Sequence, residues 1–334
     1  MRLVLVLLLA ALAVGCGRPA ALDPAGPQAA HVARLWWLLL AVSVVVEAAV
    51  VAFAVYAVMR VRRPAPAAPT LAAKPRLERR LSTGVGLAVA VTTLIVLGLL
   101  IASILTERAL GALQSPAPLT VEITGHQWWW EAEYWDAVPS QRVRTANEIH
   151  LPVGEPVLVR LRSADVIHSF WVPALHGKRD LIPGHDSFLW IQADRAGTFG
   201  GQCAEFCGYQ HAHMRLLVVA ESRGAFDGWL ARQRQPAPEP GDDRTRHGRD
   251  VFLSGPCVLC HTISGTPAAA RLGPDLTHLA GRTTLAAGIL PNTPGHLAGW
   301  ILDPQRIKPG VHMPSVGLEG GDLQALLAYL GTLR

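Results

Sequence analysis

Residues Cys203–Met214 read CAEFCGYQHAHM. Two thiols, two imidazoles, a carboxylate and a thioether fall within one loop-sized stretch. Oxidised thiols, a zinc site and a copper site all fit that inventory, and the rest of the chain has to choose among them. Read backwards from Met214, Cys207-x3-His211-x2-Met214 is the spacing of a ligand loop for a single copper in a cupredoxin-like sandwich. Thiolate, imidazole and thioether are donors suited to copper rather than to magnesium or calcium. The second imidazole has to come from an earlier strand, and His168 in ADVIHSFWVP is the candidate. Cys203 is then left over. A spare thiol beside copper in an oxidising compartment is a liability. A second copper gives it a role, with both thiolates bridging two metals and each metal taking one histidine. The blander readings are a Cys203–Cys207 disulfide or a zinc site, and zinc has no need of Met214.

The surroundings of this loop are built as a β structure. Between Leu119 and Val219, stretches such as LTVEITG, VLVRLRS, SFLWIQAD and MRLLVVA alternate or run β-branched, with Pro, Gly and Asp between them. Short strands at such spacing predict an all-β sandwich of Greek-key type over residues 117–222. SRGAFDGWLAR, at 222–232, reads as a short closing helix.

Before this domain the chain is strongly apolar. Half of its 334 residues are hydrophobic and only 16% are charged, and the mean hydropathy is +0.28. Membrane segments are therefore the first expectation. Leu35–Met59 is interrupted only by Glu47, and Leu81–Leu105 has no charge. One carboxylate at mid-membrane costs about 2.5–3.5 kcal/mol, whereas each Leu, Val or Ile returns about 0.3–0.6, so the first segment still inserts with Glu47 facing protein. Twenty-five helical residues span roughly 38 Å, enough for a core of about 30 Å. The expected hairpin covers residues 30–110. Its connection carries Arg60, Arg62, Arg63, Lys74, Arg76, Arg79 and Arg80 against Glu78 alone, which places the loop in the cytoplasm and everything beyond about residue 106 outside. This cluster is enough to account for the net charge of +5 without a nucleic-acid partner. The first residues, MRLVLVLLLAALAVGC, have the shape of an export signal over 1–16, and Cys16 after small residues is expected as a lipid-anchored terminus.

The C-terminal third carries a different signature. A Pro-rich spacer, expected at 233–243 and containing QPAPEPGDD, leads into a helical domain at 244–334. Cys257-Val258-Leu259-Cys260-His261 is a CxxCH motif. Two thiols at this spacing add to the vinyl groups of one haem, and the following histidine supplies an axial imidazole. Met313, in KPGVHMPS, is the only methionine beyond the spacer and completes a His/Met pair, with His312 as the alternative. A Cys257–Cys260 disulfide is the competing reading in an exported protein. CxxCH, a proline loop and a later Met in that order favour haem. Leu323, Leu326, Leu327 and Leu330 mark a closing helix.

These features carry two resemblances. GRDVFLSGPCVLCHTISG, RLGPDL and the final helix resemble class I cytochrome c, which implies that the Pro274 carbonyl accepts a hydrogen bond from His261. The copper loop, the aromatic segment GHQWWWEAEYWD (125–136) and KRDLIPGH (178–185) resemble subunit II of haem-copper oxidases, over roughly residues 30–225. That resemblance implies a binuclear CuA centre held by His168, Cys203, the carbonyl of Glu205, Cys207, His211 and Met214. It also implies that the Glu205 side chain reaches a magnesium ion shared with subunit I, that Asp180 lies near that interface, and that electrons come in at Trp128. Where the family often has a Glu followed by Trp-Thr at the start of the second helix, this chain has Glu78 followed by RRLSTG, and no proton role is assigned to Glu78 or Glu47.

The fusion implies a multi-domain membrane protein: subunit II of a caa-type cytochrome c oxidase in a bacterial plasma membrane, with its copper and haem domains on the outer side. The expected partners are subunits I and III and a reduced donor such as a cytochrome or a quinol-oxidising complex. The expected activity is electron transfer from haem c through copper to haem a of subunit I, for reduction of dioxygen coupled to proton pumping. The alternatives are the electron-transfer subunit of a copper-containing nitric oxide reductase and a non-enzymatic copper carrier.

Overall fold

The structure is a computed structural model that describes residues 20–61, 75–112 and 119–334. The export segment expected at 1–16 with Cys16, and Arg62, Arg63 and Lys74 of the basic loop, lie outside the described residues. Residues 30–112 and the remainder form two separate units. The first contains helices α1 (Pro27–Val61, beginning just before the unit) and α2 (Pro75–Gly111). Both are long and apolar enough to cross a membrane. They outrun the apolar cores expected at 35–59 and 81–105, because good helix formers such as Arg76, Glu78 and Arg108 continue the helix past them.

The second unit holds a ten-stranded sandwich. Its strands are β1 (Leu119–His126), β2 (Trp129–Tyr134), β3 (Val143–Ala146), β4 (Glu148–Pro152), β5 (Val157–Ser163), β6 (His168–Trp171), β7 (Arg179–Leu181), β8 (Ser187–Ile191), β9 (Gly197–Cys203) and β10 (Arg215–Glu221). One sheet has the order β3-β2-β1-β5-β8 and the other β4-β10-β9-β6-β7. Period-two alternation sends Val121, Ile123, Val159, Leu161, Leu216 and Val218 inward, all buried; each such side chain contributes about 1.5–3 kcal/mol. β1 runs parallel to β5 and β10 parallel to β4, pairings that need crossovers and give the sandwich its Greek-key connectivity. The segment before α1 joins this body: Ala25 donates to the Ala174 carbonyl and accepts from Asp194 N, each at 2.7 Å. Helix α3 (Arg223–Gln233), capped by Ser222, closes one end by burying Phe226 and Trp229.

A helical domain follows within the same unit. Its helices are α4 (Asp243–Ser254), α5 (Pro294–Leu302), α6 (Pro304–Ile307) and α7 (Gly320–Leu330), with a short ribbon of β11 (Thr284–Leu285) and β12 (Leu290–Pro291). Asp242 and Thr245 form a capping box that starts α4, satisfying amide groups the first turn cannot pair. A second small core gathers Phe252, Ile263, Leu297, Ile301, Leu326 and Leu330. The Pro-rich stretch lies against this domain. Ala237 N donates to the Ser264 carbonyl, and the Gln235 carbonyl meets His278 Nε2 at 3.1 Å.

Candidate metal and haem centre

Strand β6 delivers His168 into the sandwich, the end of β9 delivers Cys203, and the loop before β10 delivers Cys207, His211 and Met214. Donor atoms of His168, Cys203 and Cys207 all lie within 4.8 Å of one another. His168 Nδ1 is 3.9 Å from Cys203 Sγ, and the Glu205 carbonyl is 3.2 Å from that same sulfur. His211 Nδ1 and Met214 Sδ stand 3.6 and 3.8 Å from Cys207 Sγ. Each thiol thus has its own imidazole and its own further donor, one a carbonyl and the other a thioether. The two thiols are free rather than joined as a disulfide. His168, Cys203, Cys207 and Met214 are buried. This donor set fits a pair of copper ions.

The electrostatics already favour metal. The neighbouring Cys207 thiol, with His168, holds Cys203 below the ordinary thiol range, while Cys203 and burial push Cys207 above it. Burial opposes charge on His168, but its contacts with Cys203 and Asp165 outweigh that and raise it. Asp165 Oδ1 holds His168 Nε2 at 2.8 Å, fixing the ring with Nδ1 toward the sulfur, while Asp165 Oδ2 accepts from Gln127 N at 2.7 Å. Such a carboxylate behind a ligating imidazole orients it and raises its basicity.

Trp128 stands on this cluster. Its Nε1 donates to the Cys207 carbonyl at 3.0 Å, and Gln127 Nε2 donates to the same oxygen at 2.8 Å. Gly208, at φ +111°, gives them room, since a Cβ there would come within 2.9 Å of Gln127 Nε2 and 3.3 Å of Trp128 Cζ2. The next two tryptophans diverge. Trp130 is core, edge-on to Phe170, whereas Trp129 stacks on His126 and faces a cavity.

That cavity, of about 360 Å³, is lined by Cys257, Cys260, His261 and Met313, and on its other side by Trp128 and Trp129. His261 Nδ1 bonds to the Pro274 carbonyl at 2.7 Å, leaving Nε2 as the uncommitted nitrogen. Burial holds this imidazole below its usual value, so it is neutral and able to ligate. Gly273 permits the ring's position, because a Cβ there would meet His261 Cε1 at 2.7 Å. Gln305 Nε2 donates to the carbonyls of Val311 and Met313, shaping the loop that carries Met313. His312 also faces the cavity, 6.3 Å from the Trp128 ring. Arg282 lines the wall with its Nε buried and unpartnered, which suits an anionic substituent. The cavity, the thiol pair and this orphaned donor fit a haem.

Comparison with known proteins agrees with both halves. Residues 138–221 match the family of cytochrome c oxidase subunit II periplasmic domains, and residues 246–334 match the cytochrome c family. Cytochrome c oxidase subunit 2 of Alkalihalophilus pseudofirmus is 34% identical over 94% of this chain and 90% of its own length. The chain belongs to the cytochrome c oxidase subunit 2 family. In this subunit 2, the C-terminal domain is a fused cytochrome c. The copper domain implies a copper site, the cytochrome domain a haem, and the subunit a partner in subunit I. The subunit 2 of Bacillus sp. (strain PS3) is 32% identical over 65% of this chain and 62% of its own length. The crystal structure of the periplasmic domain of subunit II from Bradyrhizobium japonicum is 32% identical, covers 35% of this chain and 94% of that one, and aligns with a TM-score of 0.33.

Several functional contacts had no signal in the sequence. Asp165 and Gln127 brace the copper cluster, and Gln210 accepts from His213 while its Nε2 reaches the Pro309 carbonyl of the cytochrome domain at 2.7 Å. Glu148 of β4 accepts from Thr283 N at 3.0 Å and Oγ1 at 2.6 Å. A carboxylate followed two residues later by His150 could have marked β4 as a place of unusual polarity, but nothing local points to Thr283.

Proposed function

We propose that this chain is the electron-receiving subunit of a caa-type oxidase: it takes electrons from a reduced donor at a covalent haem c and passes them through a binuclear CuA centre to haem a of subunit I. In the assembled complex this supports reduction of dioxygen to water with proton pumping. When bound, the haem supplies a one-electron donor and the copper pair a one-electron acceptor that changes little in geometry. The observation carrying this reading is Trp128, whose ring lines the cavity between Cys257, His261 and Met313 and whose indole N–H rests on the Cys207 carbonyl.

The residues have distinct roles in it. Cys257 and Cys260 tether the haem, while His261, oriented by Pro274, and Met313 ligate it. His168, Cys203, Glu205 through its carbonyl, Cys207, His211 and Met214 hold the copper pair. The carboxylate of Glu205 is available for a magnesium ion at the junction with subunit I. Helices α1 and α2 anchor the chain in the bacterial plasma membrane, with the sandwich and cytochrome domain on the outer face, beside subunit III as well as subunit I. A copper carrier needs exchangeable ligands, and the burial of both cysteines, His168 and Met214 opposes that alternative.

Absorption and paramagnetic resonance of the purified, metal-loaded full chain test the reading. The expected result is a c-type haem band together with a mixed-valence two-copper signal. One copper or none per chain, in a fully loaded sample, removes it. Co-purification with a nitric oxide-reducing rather than a dioxygen-reducing subunit transfers the chain to the other enzyme class.

A further inference from the structure

Lys308 is a lysine in an unusual place. Only 2% of it is exposed. It opens the loop that carries His312 and Met313, and it lines the haem cavity. Its Nζ donates across the boundary between the two domains, to the Trp128 carbonyl at 2.6 Å and to the Ala286 carbonyl at 3.3 Å. No carboxylate partner is seen for it among the described residues. Fully buried lysines are rare unless paired, and burial pulls this one down to about 7.

The backbone around it is arranged to receive it. Ala286 and Ala287 both have positive φ, 53° and 60°, a conformation costly for residues with a Cβ and retained only where the surroundings require it. The carbonyls of this turn are both spent on the seam: that of Ala286 on Lys308, and that of Ala287 on Arg215 N, at the start of β10 directly after Met214. A continuous connection results. Lys308 Nζ bonds to the Trp128 carbonyl, the covalent frame of Trp128 leads to its indole N–H, and that N–H bonds to the carbonyl of Cys207.

We propose that Lys308 is a positioning residue for internal electron transfer, clamping the haem cavity onto Trp128 and completing a hydrogen-bonded connection to Cys207. The proposal rests on the electron path given above. One electron leaves the reduced haem and arrives on the oxidised copper pair, and a reduced one-electron carrier outside the chain restores the haem. Lys308 takes no part in the electron balance; it fixes the spacing and the contact.

Amine labelling of the native, fully loaded chain probes the placement without mutation. Lys178 is exposed and should label readily while Lys308 stays protected; labelling of both at the same rate overturns the proposal. The functional arm is flash reduction of the haem in the assembled complex. In Lys308→Met the donor-to-haem phase should be unchanged and the haem-to-copper phase slowed by about tenfold, the scale set by losing a buried hydrogen bond. Haem and copper spectra should keep their wild-type form, and amide exchange should rise at residues 128–131 and 284–288. Lys308→Arg, which keeps a donor, should recover much of the rate. A haem-to-copper phase in Lys308→Met as fast as wild type overturns the proposal, and so does equal slowing by Met and Arg. Absence of any haem-to-copper phase in the wild type instead overturns the electron path itself.

Discussion

Cys203 and Cys207 are separated by three residues, Cys257 and Cys260 by two, and in each pair a histidine follows close behind. The first pair is buried in a sandwich whose strands bring in His168 from 35 residues upstream. A carboxylate, an indole and an amide brace the loop from outside. The second pair is only half-buried on a short turn beside an open cavity. Burial raises the Cys257 thiol rather than activating it. The copper site is thus preorganised by tertiary structure, whereas the haem site is a local motif plus a space, one wall of which belongs to the other domain.

If that contrast is right, substitutions should separate the two sites. The largest effect is expected from Cys207→Ser: the two-copper resonance should vanish and copper content should drop, while haem content and its absorption stay as they were. Met313→Leu should do the reverse, leaving copper intact and lowering the haem reduction potential, because His/Met ligation raises it; redox titration of the haem band measures the shift. Asp165→Asn keeps the shape but weakens the support of His168. It should reduce copper affinity by about 10- to 100-fold, as loss of such support does elsewhere, measured by competition with a chelator, with no change at the haem.

The smallest effect concerns the seam. Burial pushes Glu148 up, but hydrogen bonds from His150 and Thr283 outweigh it and leave the carboxyl below its ordinary 4.5. A carboxyl depressed in the folded state adds stability above its unfolded pKa and loses it as pH falls through the folded value. Contact between the domains should therefore hold at neutral pH and loosen in acid. The protection factor of the Thr283 amide, corrected for the intrinsic exchange rate, should fall below pH 4.5, and Glu148→Gln should flatten that dependence.

What could be read in the sequence follows the same divide. The copper loop, CxxCH and Met313 were legible because chemistry demands particular donors at short spacing. The strands were legible from alternation, as in Val121 and Ile123. The bracing was not. Gln127 meets the carbonyl of a residue 80 positions on, Glu148 meets Thr283 135 positions away, and Lys308 meets Trp128 across 180. A lysine beside Pro-Gly has every local reason to be solvated, and its burial arises only when two domains close over it. The Pro-rich stretch likewise reads as a spacer from composition alone, while its contacts to Ser264 and His278 depend on the fold of the domain that follows.

The measurement that bears most directly on the account is flash reduction of the haem in the intact wild-type complex, followed at both centres. Haem oxidation and copper reduction should share one rate, and that rate should not change with protein concentration. Copper reduction that fails to track haem oxidation, or that speeds up as the protein is concentrated, would contradict a single conduit running through Trp128.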